Sequence, residues 1–330
     1  MTRMVDVRDF NNDTTSIDAS SRTLGPSGGQ WVGVAANSGS GRGAGRQAVE
    51  GLATALESAG IGCRIGWTPD DRVSMVEAAT GDESCRCLVA AGGDGTVAAL
   101  INDRPNVPIA VLPTGTENLF ARHFRADRRP ERLARAIVDG RVARLDVGVA
   151  SGRRFSLMAG IGFDADVVTR HHESRTSATG QARPTSRAAY VEPVIRSSLS
   201  YRFPTLTIEV DDPGAEETIV GTTAFVFNLP RYALSLPFAP EARGDDGRLD
   251  LIVFRDAGPF RALHYLWLVL RGQHLSRDDV QHRRVRSARI TSEVSVPFQL
   301  DGDPGGVVGV DGSMSLAIGV LPGAVEVIVP

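Results

Sequence analysis

Apolar runs alternate with helical spacing of apolar residues in the first half of the chain, after a polar, aperiodic stretch at residues 1–29 that predicts a disordered leader. Strands that alternate with helices at this spacing predict a doubly wound, parallel α/β sheet, which binds ligands beyond the carboxyl ends of its strands. The predicted strands are residues 31–36, 61–67, 88–91 and 107–112, and the predicted helices are residues 49–56, 71–79, 97 onward, 119–124 and 131–138.

Beyond residue 141 the pattern changes to short apolar runs separated by turn residues, which predicts a mostly antiparallel β-sandwich with one helix. A polar stretch at residues 170–190 is predicted to be a long mobile loop or lid. The chain is therefore divided into residues 1–29, an α/β domain at 30–145 and a β-sandwich domain at 146–330. The predicted strands are residues 142–150, 155–159, 205–210, 218–228, 249–254, 288–290, 294–300 and 324–329, and the helix is residues 260–271.

The cationic residues narrow the chemistry, because all 36 Lys and Arg residues are arginines. A P-loop lysine, the β3 lysine of protein kinases and a Schiff-base lysine are thereby excluded. The net charge of −3 gives no electrostatic basis for binding nucleic acid. Three cysteines argue against a disulfide framework, and no apolar run is long enough to span a bilayer. A cytoplasmic location is therefore predicted, and peripheral membrane contact stays open.

The most informative stretch is the apolar run 88–91, which leads directly into Gly92-Gly93-Asp94-Gly95-Thr96 and then into a helix. Glycines let backbone N–H groups approach an oxyanion, and a helix N-terminus adds a favourable dipole, so this turn predicts a phosphate-binding loop. A carboxylate beside phosphates is repelled unless it holds a metal ion or accepts a proton from a hydroxyl, which gives Asp94 a chemical role. The alternative is a tight turn in which Asp94 helps to cap the helix.

Two more strand ends carry loops rich in glycine and small polar residues, at residues 37–45 and 113–118. Because parallel strands end at the same edge of a sheet, all three loops are expected to meet there. The first loop contains Gly39-Ser40-Gly41-Arg42-Gly43-Ala44, which matches a dinucleotide-binding pattern, although a second phosphate-binding loop explains it as well. The loop at 113–118 either contacts a nucleotide or begins a capped helix.

Three acidic turns in the second half of the chain are further candidates. Asp-Gly pairs are typical of hairpin turns, so local structure alone explains the second and third of them. The first is the glycine-rich end of a β run, which a turn also explains. At the middle turn a hard cation held by Asp246 and nearby carbonyl groups is the alternative. The turns are Gly160-Ile161-Gly162-Phe163-Asp164, Asp245-Asp246-Gly247 and Asp301-Gly302-Asp303.

Taken in order, these motifs resemble the diacylglycerol kinase catalytic domain superfamily, which includes bacterial soluble lipid kinases and sphingosine kinases. The resemblance runs from about residue 31 to the C-terminus. It implies transfer of phosphate from ATP, with Mg²⁺, to the hydroxyl of a lipid such as diacylglycerol, in a cleft between an α/β domain and a β-sandwich. The matching segments are residues 37–41, 92–96, 113–122, 160–164, 246–250 and 301–303.

The resemblance also implies roles for individual residues. Asp301 is expected to be the general base and Asp303 its acidic companion, while Asp94 holds Mg²⁺ or orders the acceptor hydroxyl. Asp246 is expected to hold a structural cation. The residues expected at the nucleotide are Asn37, Gly39, Gly41, Gly92, Gly93, Gly95, Thr96, Thr114, Gly115, Thr116 and Asn118. The lipid substrate implies peripheral contact with the inner face of a membrane, and a homodimer is compatible with the resemblance.

Two positions depart from the family pattern, since Leu119 stands where Asp is common and Asp303 where Glu is common. An inactive member that only binds nucleotide or lipid is therefore one alternative. An NAD kinase is another, because it shares the Gly-Gly-Asp-Gly turn and a β second domain, but its Thr-Gly-Ser-Thr-Ala-Tyr-like stretch is missing here. Apolar residues at 232–240 and 260–270 are candidates for lining an acyl groove or for docking on a bilayer. Core packing explains them equally well.

Overall fold

The computed structural model describes residues 22–25, 29–37, 44–176, 191–212, 215–233, 235–309 and 315–330. Strands and helices alternate in the first half, as the pattern predicts, and β3, β2, β4 and β5 are parallel neighbours in that order. The elements are β1 (Arg22–Thr23), β2 (Trp31–Ala36), α1 (Ala44–Ser58), β3 (Gly62–Gly66), α2 (Pro69–Thr80), β4 (Cys85–Gly92), α3 (Asp94–Asn102), β5 (Ile109–Pro113), α4 (Leu119–His123) and α5 (Pro130–Asp139).

The central strand β4 is buried along its whole length because helices cover both faces of the parallel sheet. Successive side chains of a strand point to opposite faces, so its residues contribute alternately to two cores. Val89 packs in the core formed with α1 and α5, which includes Leu52 and Ile137. Leu88 packs in the opposite core, with Leu100 of α3. The glycine loop that follows β4 is therefore held at the end of a rigid strand.

The second half is mostly antiparallel. A six-stranded sheet in the order β13-β12-β11-β8-β15-β16 packs its apolar residues against β9, β14 and β17 of the larger sheet, which confirms the predicted combination of an α/β sheet and a β-sandwich. The elements are β6 (Arg141–Ala150), β7 (Arg153–Phe155), β8 (Met158–Ile161), α6 (Phe163–Thr176), α7 (Val191–Ser200), β9 (Leu206–Asp212), β10 (Ala215–Gly221), β11 (Thr223–Phe227), β12 (Leu249–Phe254), α8 (Pro259–Leu270), β13 (Val280–Val285), β14 (Ser287–Thr291), β15 (Val296–Leu300), β16 (Asp303–Val308) and β17 (Leu316–Ile328).

Some predicted elements differ from the structure. The predicted strand at 218–228 is two strands, β10 and β11, which belong to different sheets because the chain turns at Thr222. The predicted lid is wrong for residues 170–176, which extend α6, and residues 177–190 lie outside the described part. Within this helix His171 is buried and His172 is exposed. The polar composition of α6 concealed a helix that packs against β15 and β16.

The predicted disordered leader is wrong for the part that the structure describes. Residues 22 and 23 form β1, which pairs antiparallel with β6. Arg22 also forms an ion pair with Glu326 of β17 at 2.5 Å. The other residues of the predicted leader, apart from 24, 25 and 29, lie outside the described part.

Two long strands, β6 and β17, connect the two halves of the molecule. They pair antiparallel with each other along both halves, with a bulge between Leu321 and Val325. Beyond the bulge β17 also pairs parallel with β5 at the edge of the α/β sheet. The predicted boundary between residues 145 and 146 lies inside β6, so one continuous sheet fixes how the two halves are oriented.

Asp146 fastens this connection at the centre of β6. Its buried carboxylate accepts hydrogen bonds from the backbone N–H groups of Gly247, at 2.6 Å, and Gly323, at 2.7 Å. Its backbone N–H donates to the carbonyl of Gly244 at 2.7 Å. One side chain therefore joins β6, the turn at 244–247 and the bulge of β17.

We expect Asp146→Ala to lower the free energy of unfolding by about 3 kcal/mol, because two buried N–H donors lose their acceptor. Urea unfolding followed by circular dichroism measures this change. Asp245→Ala is the control, since that carboxylate pairs only with Arg243 among the described residues, and its effect should be within about 0.5 kcal/mol. Equal stability of the two variants would contradict the role of Asp146.

Candidate active site

Two of the three predicted loops meet at the carboxyl ends of β4 and β5. The backbone N–H of Thr114 donates to the carbonyl of Gly92 at 3.0 Å. A Cβ atom on Gly115 would lie 2.5 Å from the Cα atom of Gly93, so these two backbones touch only because residue 115 is a glycine. Of the first loop, Asn37 is described and exposed, whereas Gly39 and Gly41 lie outside the described residues.

Asp94 joins the two loops through its carboxylate. Its two oxygens accept hydrogen bonds from the backbone N–H groups of Leu119, at 3.0 Å, and Phe120, at 2.9 Å, which are the first N–H groups of α4. The side chain therefore satisfies the start of a neighbouring helix rather than that of its own. Burial raises the pKa of Asp94, while these two donors lower it and the nearby Glu117 carboxylate raises it further.

Asn118 holds the second loop in shape. Its backbone has a left-handed conformation, with φ of 51°, immediately before α4. Its side-chain amide donates to the carbonyl of Gly115 at 2.7 Å and accepts from the N–H of the same residue at 3.1 Å. The buried Asn118 side chain is thus used within the loop.

Asp301, at the turn between β15 and β16, is bound by four donors from another strand connection. Its carboxylate accepts from the backbone N–H groups of Ser156 (2.7 Å), Leu157 (2.8 Å) and Met158 (3.0 Å), and from the Ser156 hydroxyl at 3.0 Å. Burial raises the pKa of Asp301 to about 6, although the four donors favour the ionised form and lower it. Its predicted companion, Asp303, is exposed at the start of β16.

One cavity of about 1230 Å³ brings most of the predicted residues together. Its wall combines residues of the α/β domain with residues of the β domain. Gly92 and Asn118 are not on this wall, although both shape the loops that form it. The predicted residues on the wall are Asn37, Gly93, Asp94, Gly95, Thr96, Thr114, Gly115, Thr116, Asp301 and Asp303.

Two arginines also line the cavity. Arg72 forms a short ion pair with Asp103, so its charge is already balanced. Arg128 is exposed and donates from Nη2 to the carbonyl of Gly115 at 3.1 Å, and it has no carboxylate partner among the described residues. In a chain without lysine, Arg128 is the cation that the structure offers beside the glycine loops. Nothing in the sequence indicates Arg128, because no spacing links residue 128 to those loops.

The remaining wall of the cavity is mostly apolar, with an acidic group set into it. Asp164 lies in the first turn of α6, and its Oδ2 accepts from the Gln299 side-chain amide at 2.9 Å and from the Tyr232 hydroxyl at 3.4 Å. Burial raises the pKa of Asp164 to about 6. The motif at 160–164 pointed to this acid, but nothing in the sequence indicated Tyr232 or Gln299 as its partners. Apolar residues on this wall include Phe163, Val167, Phe203, Phe225, Phe238, Leu266 and Val269.

The expected cation at Asp246 is not supported by the structure. The carboxylate forms an ion pair with the Arg284 guanidinium and accepts from the backbone N–H of Arg248 at 3.0 Å. The nearby Asp250 is paired with His282 at 2.6 Å. Across the described ranges, no group of three or more His, Cys, Asp or Glu side chains is arranged to hold a metal ion. A guanidinium therefore supplies the positive charge that the resemblance assigned to a metal.

Comparison with known protein families gives two matches that together cover most of the chain. Residues 32–150 match the diacylglycerol kinase catalytic domain, and residues 158–329 match the YegS C-terminal NAD kinase beta sandwich-like domain. The boundary between the matches falls just after β6, close to the end of the strand that both halves share.

Curated relatives and solved structures agree with these matches. A diacylglycerol kinase of Staphylococcus saprophyticus is 27% identical over 225 residues, which are 66% of this chain and 70% of that protein. A diacylglycerol kinase of Mycobacterium tuberculosis is 26% identical over 275 residues, 80% of this chain and 85% of that one. A crystal structure described as a diacylglycerol kinase from Bacillus anthracis covers 91% of this chain and 97% of its own, with a TM-score of 0.63 and 17% identity, which shows a shared fold.

We expect Asp94→Ala to lower the free energy of unfolding by about 2 kcal/mol, because two helix-start N–H groups lose their acceptor. Asp94→Asn keeps one acceptor oxygen and should lose less. Urea unfolding measures both losses, and hydrogen exchange followed by mass spectrometry should show faster exchange in residues 115–124. Asp139→Ala, a change of an exposed acid at the end of α5, is the control. Unchanged exchange in Asp94→Ala would show that the carboxylate does not hold α4.

Proposed function

We propose, since this chain belongs to the diacylglycerol kinase catalytic domain superfamily, that it transfers the γ-phosphate of ATP to the hydroxyl of a membrane lipid such as diacylglycerol. The observation that carries the proposal is the single cavity that includes two glycine loops, Asp301 and a mostly apolar wall. The glycine loops suit the phosphates of a nucleotide, and the apolar wall suits an acyl chain.

The glycine loops are the proposed site of the ATP phosphates. Phosphoryl transfer depends mainly on positioning and on neutralising charge, and in this chain backbone N–H groups and arginines must do both. Gly93, Gly95 and Thr96 come from one loop and Thr114 to Thr116 from the other, with Arg128 beside them. Asn37, Gly39 and Gly41 are proposed to complete the nucleotide site from the loop after β2.

Mg²⁺ fits this chain at Asp94 better than at Asp246. Each oxygen of the Asp94 carboxylate accepts one backbone N–H and keeps a further lone pair, and the side chain is half-buried on the cavity wall. The Mg²⁺ ion would be bound jointly by Asp94 and by the ATP phosphates. When bound, Mg²⁺ neutralises part of the charge on the phosphates. The same carboxylate would then hold α4 and orient the ion.

Asp301 is the proposed general base. In the structure each Asp301 oxygen accepts two hydrogen bonds, so the Ser156 hydroxyl would have to turn away and free a lone pair on Oδ2. The carboxylate then removes the proton of the lipid hydroxyl while the hydroxyl oxygen bonds to the γ-phosphorus and ADP leaves with the bridging oxygen. A pKa of about 6 keeps Asp301 ionised at neutral pH but more basic than an ordinary carboxylate. Asp303 is proposed to add negative charge at the exposed edge of this site. Asp164, with Tyr232 and Gln299, is proposed to bind polar atoms of the lipid next to its acyl chains.

The location of the protein follows from the proposed substrate. Among the described residues, no helix is long and apolar enough to cross a bilayer. A kinase of this kind would meet its lipid by peripheral contact with the inner face of the membrane. The cytoplasmic location and the homodimer stay predictions.

Incubation with γ-labelled ATP, Mg²⁺ and vesicles that contain diacylglycerol should give a labelled phospholipid. We expect Asp301→Asn to lower kcat by about a hundredfold or more, because the base is lost. Calorimetry should show unchanged ATP affinity for this variant. Glu293→Gln, a change of an exposed acid away from the cavity wall, is the control.

Three outcomes separate the alternatives. Labelling of NAD in place of a lipid would favour an NAD kinase. Binding of ATP without transfer to any acceptor would favour a binding protein. Full activity of a folded Asp301→Asn variant would show that another group is the base.

The pH dependence tests Asp301 separately. Since the base must be ionised, kcat/KM should rise with pH through about 6 and then level off. Ser156→Ala removes one donor that stabilises the ionised carboxylate, so its profile should move to higher pH while the plateau is largely kept. A flat profile between about pH 5 and 8, or a Ser156→Ala profile at the wild-type position, would exclude Asp301 as the titrating base.

A further inference from the structure

Helix α8 carries large apolar side chains that face water. Phe260 is 86% exposed and Leu270 is 60% exposed, at opposite ends of the helix. Leu263, Trp267 and Leu266 are 52%, 47% and 40% exposed between them. The spacing of three, four and seven residues puts Phe260, Leu263, Trp267 and Leu270 on one face of the helix. We call these five residues the α8 patch.

The opposite face of α8 is packed in the normal way. Tyr265, Leu268 and Val269 are buried in the core that also contains Phe254 and Phe238. A helix that is apolar all round is usually buried on all sides, but α8 is covered on one side only. Core packing therefore explains Tyr265, Leu268 and Val269, but it does not explain the α8 patch. Contiguous exposed apolar residues of this kind mark a surface that binds another protein or a membrane.

The α8 patch is continuous with the cavity. Leu263 and Leu266 are exposed and at the same time line the cavity wall, next to Ala262 and Val269 of the same helix. Val194 of α7 lies on the same wall. An acyl chain could thus pass from the α8 patch to the cavity along apolar side chains. A folded protein partner would cover this route, whereas a bilayer would supply the chain.

The charges around α8 suit an anionic bilayer. Residues 257–277 contain no Asp or Glu, although the whole chain has a net charge of −3. Arg271 caps the helix and stacks on the Trp267 ring, 4.7 Å from its centre, and it has no carboxylate partner in the described part of the chain. Arg261 is partly neutralised by Asp256 at 3.3 Å. Tryptophan and arginine side by side are typical of the boundary between headgroups and acyl chains.

We propose that α8 docks the protein on the surface of an anionic bilayer, with Phe260, Trp267 and Leu270 inserted among the lipids and Leu263 and Leu266 leading to the cavity. At 12 residues α8 is about 18 Å long, so it lies in the interface and does not cross it. This inference rests on the proposed function for the identity of the lipid that enters the cavity. The docking itself is independent of any reaction.

Flotation with vesicles of equal parts phosphatidylglycerol and phosphatidylcholine tests the docking without ATP. The full chain should float with the vesicles, and the double variant F260S/L270S should bind them about tenfold more weakly or worse, since two apolar side chains no longer insert. Neither residue lines the cavity. The matched control is V220S/V294S, which removes two apolar side chains that are 47% and 53% exposed outside α8. Its vesicle affinity should stay at the wild-type value.

Trp267 reports on the same event. Its fluorescence should move to shorter wavelength when vesicles are added, and this change should be missing in Trp267→Phe, while Trp31 and Trp67 remain as internal references. Equal vesicle binding by F260S/L270S and the wild-type protein would overturn the proposal. So would a wild-type dimer that this variant converts to a monomer without any vesicle binding, because the α8 patch would then join two copies.

The reaction and the docking can fail separately. If the wild-type protein floats with vesicles through the α8 patch but phosphorylates no lipid, the docking stands and the proposed reaction falls. If F260S/L270S phosphorylates a short-chain, monomeric diacylglycerol as fast as the wild-type protein, but not the vesicle-bound lipid, both stand. A variant that is slow on both substrates while floating normally would overturn the docking.

Discussion

Buried or half-buried carboxylates that accept hydrogen bonds from backbone N–H groups are the interaction on which the rest of the structure depends. Asp94 satisfies the start of α4 and thereby connects two loops, and Asp301 satisfies three N–H groups between β7 and β8. Asp146 does the same for the turn at 244–247 and the bulge of β17. Each of these acids ties together segments that are distant in sequence. These charge-assisted hydrogen bonds help to place the segments that form the cavity relative to one another.

This use of acids bears on their chemistry. A carboxylate that is already surrounded by donors is held in one orientation, and little further ordering is needed when a substrate arrives. The cost of burial raises the pKa of Asp301 to about 6 and also raises that of Asp94, which makes these carboxylates more basic than exposed ones. The absence of lysine limits the groups that can neutralise a phosphate. In the proposed site, backbone N–H groups of the glycine loops and the exposed Arg128 are left to meet a phosphate.

The sequence predicted the parts of the fold whose signal is local. The buried parallel strand β4 is apolar along its length apart from Arg86, and the loop that follows it is unusually rich in glycine. Elements that are stabilised by contacts with residues far away in the sequence were not predicted, or were predicted too short. The strand β17 was predicted at 324–329 only, because Pro322 and Gly323 normally end a strand and here form a bulge. Among the residues predicted to be functional, Asp94 binds the start of a neighbouring helix and Asp246 pairs with Arg284, and neither partner can be inferred from spacing along the chain.

The continuous sheet formed by β6 and β17 explains how one cavity can serve two unlike molecules. In the proposed reaction a nucleotide comes from water to the loops of the α/β domain, and a lipid comes from the α8 patch on the β domain. The two reacting atoms must meet within about 3 to 3.5 Å for transfer to occur. Strands shared by both domains place the glycine loops and Asp301 on the wall of one cavity, which suits such a requirement. The exposed apolar surface of α8 fits the same arrangement, because Leu263 and Leu266 belong both to the α8 patch and to the cavity wall, so a membrane at the α8 patch would lie directly at the cavity.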